Sequence, residues 1–73
     1  MEKRVSIQTP FIKLDALLKF ADVVGSGGEA KLLIQEGLVS VNGAICEMRG
    51  KKCVIGDRIE VEGVTILIVG AAR

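Results

Sequence analysis

The chain of 73 residues has no histidine, tryptophan or tyrosine, and holds two phenylalanines, one proline and two cysteines. Each shortage closes off a class of chemistry. Without histidine the commonest general base and the commonest metal ligand are both missing, and Ser6, Ser26 and Ser40 are left with no evident base partner. Cys46 and Cys53 stand seven apart, outside the Cys-x-x-Cys spacing of zinc sites, so no metal is expected. Both are read instead as small apolar side chains on or beside strands, with no disulfide in a reducing compartment. With only Phe11 and Phe20 to offer, the chain has almost no stacking platform for unpaired bases, which disfavours sequence-specific grip on single strands. No apolar run reaches the ~20 residues that span a bilayer. Met1-Glu2-Lys3-Arg4 leads into Val5-Ser6-Ile7 and polar Gln8 rather than a signal-peptide stretch, so a cytoplasmic chain with no membrane partner is expected.

What is present fits one small domain over residues 1–73. A chain this short buries only about 60% of the surface its unfolded form exposes. Its core is built of Val, Ile, Leu and Ala, which make up most of the 49% hydrophobic fraction. Nine carboxylates remain, but Asp15, Asp22, Glu29, Glu36, Asp57, Glu60 and Glu62 are accounted for by helix surfaces, caps and turns. So small a core can scarcely enclose the pocket that an acid–base pair requires. A non-enzyme without cofactors is expected.

Periodicity orders the elements. Val5-Ser6-Ile7 alternates as an edge strand does, and Thr9-Pro10 punctuates the entry to a helix. Leu14, Leu17, Leu18 and Ala21 share one stripe, which predicts a helix over residues 12–23. Gly25-Ser26-Gly27-Gly28 breaks it, and Ser26 with Glu29 forms a capping-box signature for a second helix that ends at Gly37. From there the period is two. Leu38 to Val41, a tight turn at Asn42-Gly43, and residues 44–48 read as a hairpin. Residues 53–55 read as a short strand, and Gly56-Asp57 turns into residues 58–61. After Gly63, the apolar run over 64–69 is suited to a strand buried in the sheet and paired with Val5 to Ile7. The expected class is α+β, order βααββββ, with a hairpin of two short helices on one face of a small, bent, mostly antiparallel sheet. Only the termini are expected to be loose.

Function is most visible in Arg49-Gly50-Lys51-Lys52, three cations in four residues, with no acidic residue between Glu47 and Asp57. On a chain whose formal net charge is only +1, such a local surplus points to one basic face for a polyanion, RNA foremost, although a solvated loop between strands has the same composition. Lysine, arginine and backbone amides suit the phosphates and hydroxyls of structured or double-stranded RNA, which is recognised mainly by shape. Gly25 to Lys31 fails the P-loop pattern, because Ala30 stands where Gly is needed before the Lys and Leu32 where Ser or Thr is needed after it. The amides of Gly27 and Gly28 at a helix start could still hold a phosphate oxygen, or simply belong to a flexible turn.

Lys13-Leu14-Asp15, then Gly25-Ser26-Gly27-Gly28-Glu29-Ala30-Lys31, then Ile34 to Gly43 (IQEGLVSVNG), closing with Gly56-Asp57, resembles the RNA-binding domain named after the fourth small-subunit ribosomal protein, the S-four domain. The likeness covers residues 13–62 in order and spacing, and Arg49-Gly50-Lys51-Lys52 looks like the free-standing bacterial subgroup (YbcJ-like or YaaA-like) in which the domain is the whole protein. The resemblance implies an alpha-L motif fold and binding of ribosomal or ribosome-associated RNA. It places Lys13 at a basic position opening the first helix, and Ser26, Lys31, Asn42 and Gly43 on matching motif positions. Many family members carry Arg directly after the Ser, where this chain has Gly27. The expected RNA contacts are Lys13, Lys31, Arg49, Lys51 and Lys52, then Lys19 and Arg58, with Ser26, Gly27 and Gly28 at the second helix start. A ribosomal or RNA-processing protein is a further candidate partner, and a monomer is favoured. The competing class is a ribosome-assembly or interaction module that docks on a protein through its sheet, by apolar contacts that resist salt.

Overall fold

The nearly continuous apolar run near the carboxyl end becomes the strand on which the sheet is organised. In a computed structural model describing residues 1–70, β7 (Val64–Gly70) lies between β1 (Glu2–Ile7) and β6 (Arg58–Val61), followed by β3 (Val39–Val41) and β4 (Ala44–Ile45). The β1–β7 pair is parallel, with Val5 opposite Ile68, and the other pairs are antiparallel. A second sheet joins β2 (Ile12–Lys13) to β5 (Lys52–Cys53). The helices are α1 (Leu14–Phe20) and α2 (Gly27–Gln35), which pack on each other and on one sheet face.

The core follows from alternation on the strands and from the helical stripe. Val5, Ile7, Val39, Val41, Ile59, Val61, Ile66 and Ile68 point inward to meet Leu14, Leu17, Leu18, Ala30 and Ile34. Thr65, Leu67 and Val69 point the other way and stay partly exposed, so β7 is buried on one face only, not throughout as its composition implied. Full burial of each Val, Leu or Ile contributes about 1.5–3 kcal/mol.

Both helices end in the same device. At α2, Gly37 takes φ 73° while its N–H donates to the Ile34 carbonyl and the Leu38 N–H donates to Leu33. At α1 the left-handed residue is Asp22, φ 62°, with Asp22 N–H on Lys19 and Val23 N–H on Leu18. These are Schellman closures. The first helix was expected to run to residue 23; it stops at Phe20 because an aspartate, which tolerates this conformation, does what a glycine usually does.

Its start also differs from the expected residue 12. Ile12 and Lys13 pair with Cys53 and Lys52 as a strand, which adds β2 ahead of α1 and moves the short strand expected at 53–55 back to Lys52–Cys53. The segment expected as a strand over 53–55 turns at Val54, whose N–H is taken by the Asp57 carboxylate at 2.9 Å while Gly56 adopts φ 97°. The return strand over 44–48 is regular only over Ala44–Ile45. At the Asn42-Gly43 turn both φ angles are positive, 52° and 87°, as the dipeptide requires. Asn42 then does more: its amide donates to Asp57 Oδ1 at 3.0 Å and its carbonyl oxygen accepts from the Arg58 N–H at 2.9 Å, tying two turns together. The amino terminus, expected to be loose, is bound instead, since the Met1 ammonium donates to the Gly63 carbonyl and the Thr65 N–H donates to Met1. At the other terminus, residues 71–73 lie outside those described.

Candidate nucleic-acid interface

The two-residue ladder between β2 and β5 sets the geometry of the basic loop. Cys53 is fully buried and Ile12 packs against the core, so the alternate pair, Lys13 and Lys52, is exposed side by side in the same register. Like charges placed directly opposite are destabilising. Such a pair is relieved when an anion settles between them. Immediately beyond it, the Leu14 N–H donates to the Lys51 carbonyl at 2.9 Å and the Asp15 N–H donates to the Arg49 carbonyl at 3.1 Å. Those amides are among the first-turn donors that a helix leaves without internal partners. The basic loop is therefore the cap of α1, and its backbone is held against the helix start while its side chains are free to face outward. A turn closed by Lys51 N–H on Met48 completes the anchorage.

Lys13, Arg49, Lys51 and Lys52 are thus brought together, and none makes an ion pair among the described residues. The ammonium of Lys52 sits 4.9 Å from the centre of the Phe11 ring, a cation–π contact that orients the side chain without neutralising it. Phe11, read from sequence only as a scarce aromatic, is the positioning residue for that lysine. The Asp15 carboxylate turns to its neighbour, accepting from the Ala16 N–H at 2.7 Å.

A second group lies at the start of α2. The Ser26 hydroxyl accepts from the Glu29 N–H at 3.2 Å, as the capping signature requires, while Glu29 reaches past Ser26 to the N–H of Gly25 at 2.8 Å. Gly27, Gly28 and Lys31 are exposed on the same first turns. A Cβ built on Gly27 meets nothing within 4 Å, so the site has room for a side chain. Lys19 is exposed in the last turn of α1, and among the described residues its side chain makes no ion pair that would tie it to the loop. Arg58 stands apart: it projects from the sheet face that the helices leave uncovered, with its Nε 3.9 Å from the Glu60 carboxylate. Both partners are more than half exposed, so the pair contributes little to stability. Arg4 shares that face, next to Leu67, which Arg58 also flanks.

Burial pushes the Cys53 thiol up to about 11, helped by the Asp57 charge, so it stays protonated at neutral pH and serves as core rather than nucleophile. Among the described residues no cluster of His, Cys, Asp or Glu could hold a metal. No described helix is long and apolar enough to cross a membrane.

The sequence profile of the S4 domain matches residues 5–69. The chain belongs to the S4 domain family. This S4 domain is 44% identical over 63 residues to a probable ribosome maturation protein, RlbA, of Bacillus subtilis, a match covering 86% of the chain and 89% of the relative. It also superimposes with a TM-score of 0.70 on the solution structure of YbcJ from E. coli, at 30% identity, over 94% of this chain and 86% of that one. The YbcJ structure is described as revealing an alfaL motif involved in RNA-binding. The α+β architecture, with two helices on a mostly antiparallel sheet, is that alpha-L fold.

Proposed function

We propose that this S4 domain is a non-catalytic RNA-binding protein that acts in the cytoplasm and holds structured RNA of ribosomal origin. The carrying observation is the unneutralised cluster Lys13, Arg49, Lys51 and Lys52, fixed by the β2–β5 ladder and by the capping of α1. The phosphates of an A-form helix lie along such a cluster as counter-charges to the Lys13–Lys52 pair. The start of α2 supplies Ser26, the Gly27 and Gly28 amides and Lys31 to the same strand of phosphates. The names of RlbA and YbcJ, ribosome maturation and an RNA-binding motif, agree with this reading.

The direct test is capture of partners from cell lysate by the tagged chain, with and without ribonuclease. Ribosomal RNA should be enriched, and associated proteins should be lost after ribonuclease treatment; proteins retained at full yield after digestion and in high salt would point to docking by apolar surface instead.

The position after Ser26 offers a gain-of-function test. Gly27→Arg has open space for the new side chain, and it restores the residue type frequent in the family at that place. RNA affinity should rise at low salt, and the slope of log affinity against log salt should steepen by about 0.9, one added phosphate contact. A filter-binding series across salt concentrations reads both quantities.

A further inference from the structure

Beside the basic loop, two large apolar side chains are exposed although the fold has no need of them there. Ile45 is 68% exposed and Met48 67%, in a chain that buries most of its Ile, Leu and Val inside. They belong to a groove of about 360 Å³ whose apolar walls include Ala44, Ile45, Cys46 and Met48 and whose free polar groups are Glu47 and Lys51. Asn42 also lines it, but its amide is committed to Asp57 and Arg58. The volume is within the range, roughly 300–1,000 Å³, that small organic groups occupy.

Glu47 is the informative member. Its Oε2 lies 3.5 Å from the position a Cβ on Gly37 would take, so the side chain rests over Gly37. Among the described residues its carboxylate accepts no hydrogen bond and makes no ion pair. On a face that holds phosphates, a bare carboxylate repels the ligand unless something other than phosphate meets it. The edges of nucleobases carry the N–H donors a carboxylate needs, and guanine alone presents two adjacent ones, N1–H and N2–H, that match its two oxygens. The walls suit the faces of the same ring. Aromatic side chains are lacking, but a methionine thioether is polarizable, adapts its shape and makes favourable contacts with aromatic rings. Lys51 belongs at once to the groove and to the basic cluster, so a backbone following the cluster passes the groove's mouth.

We infer that this groove receives a single guanine extruded from the RNA, with the ring against Ile45 and Met48, Glu47 on its N1–H and N2–H edge, and Lys51 on the adjoining phosphate. The inference rests on the RNA-binding reading above and deepens it from shape recognition to one base.

The test uses short stem-loop RNAs that differ only at one bulged position: none, abasic, adenosine or guanosine. Their affinities are measured by fluorescence anisotropy with the full chain. The wild-type protein should bind the guanosine bulge about tenfold or more tightly than the abasic one. Glu47→Gln should abolish the preference for guanosine over adenosine while leaving the unbulged stem bound as well or better, because a repulsive charge is gone. Met48→Ala should lower affinity for the guanosine bulge towards the abasic value and leave the unbulged stem unchanged. Equal binding of guanosine and abasic bulges by the wild type, or an equal loss on all stems with Met48→Ala, overturns the inference but leaves the RNA reading in place. Failure to bind any of the stems at low salt removes the RNA reading itself and the groove's occupant with it.

Discussion

Replacing Arg49, Lys51 and Lys52 together by Ala is expected to weaken RNA binding by a few hundredfold at about 0.1 M salt and to leave the domain folded. The first half follows from counterion release. Five phosphate contacts, from Lys13, Lys31, Arg49, Lys51 and Lys52, give log affinity a slope of about −4.5 against log salt, and the two that remain, Lys13 and Lys31, give about −1.8. The difference of roughly 2.7 in slope is a few hundredfold at 0.1 M and vanishes as salt approaches 1 M. The second half follows from which atoms do the structural work. Arg49 and Lys51 hold α1 through their backbone carbonyls, and alanine keeps a carbonyl. Lys52 loses its contact with Phe11, worth about 0.5–1 kcal/mol at an exposed site, and relief of the Lys13–Lys52 repulsion offsets part of that. Filter binding over a salt series, with thermal melts by circular dichroism, checks both halves. An unchanged affinity would exclude the loop as a contact, and a lost cooperative melt would make its side chains structural.

Truncating Leu14 should do the reverse, unfolding the protein before it touches any RNA contact. Leu14 is fully buried, and its N–H is the donor that fastens Lys51. Leu→Ala at such a site costs about 2–5 kcal/mol. A domain of this length has a total stability of roughly 4–11 kcal/mol, and each kcal/mol corresponds to about 4–8 °C in Tm for small domains. Leu14→Ala should therefore lower Tm by on the order of 10–30 °C, read from the same melts. Where the chain remains folded at low temperature, its RNA salt slope should match the wild type, because every cation is still present. A steep loss of affinity in that folded state would mean that loop anchorage depends on the Leu14 side chain as well as on its amide.

How much of this was legible in the residues depended on whether the deciding interaction was local. The second helix was, since Ser26, Glu29 and Gly37 each act within four residues of their partners. So was the Asn42-Gly43 turn, whose two residues carry their own backbone preference. The pairing of β1 with β7 was readable from a different signal, a branched apolar run that needs neighbours on both edges. The errors at α1 were long-range or atypical. Nothing near Ile12 and Lys13 announces a partner forty residues away, and the apolar spacing that continues to Val23 hides a closure made by Asp22. Lys13 and the 49–52 loop are expected from their charge to share one basic face, but the β2–β5 ladder that sets them side by side joins segments forty residues apart and leaves no local signal. Arg58 has the charge of a phosphate contact, but strand alternation sends it to the uncovered sheet face beside Glu60. Glu47 and Met48 carry no local signal, because a loop of mixed polarity looks ordinary until its walls are assembled.

The parallel register of Glu2–Ile7 against Thr65–Gly70 has a kinetic consequence. Each residue of β1 is made 63 residues before its partner on β7, as Glu2 is before Thr65, and contacts of such sequence separation slow folding because chain closure must precede their reward. During synthesis the β1 stretch waits without a partner, kept soluble by Glu2, Lys3 and Arg4, charges of the type that discourage unpaired edges from associating. Ribosome-stalled chains that end before residue 64 should accordingly remain protease-sensitive, and resistance should arrive in one step once β7 has cleared the exit tunnel.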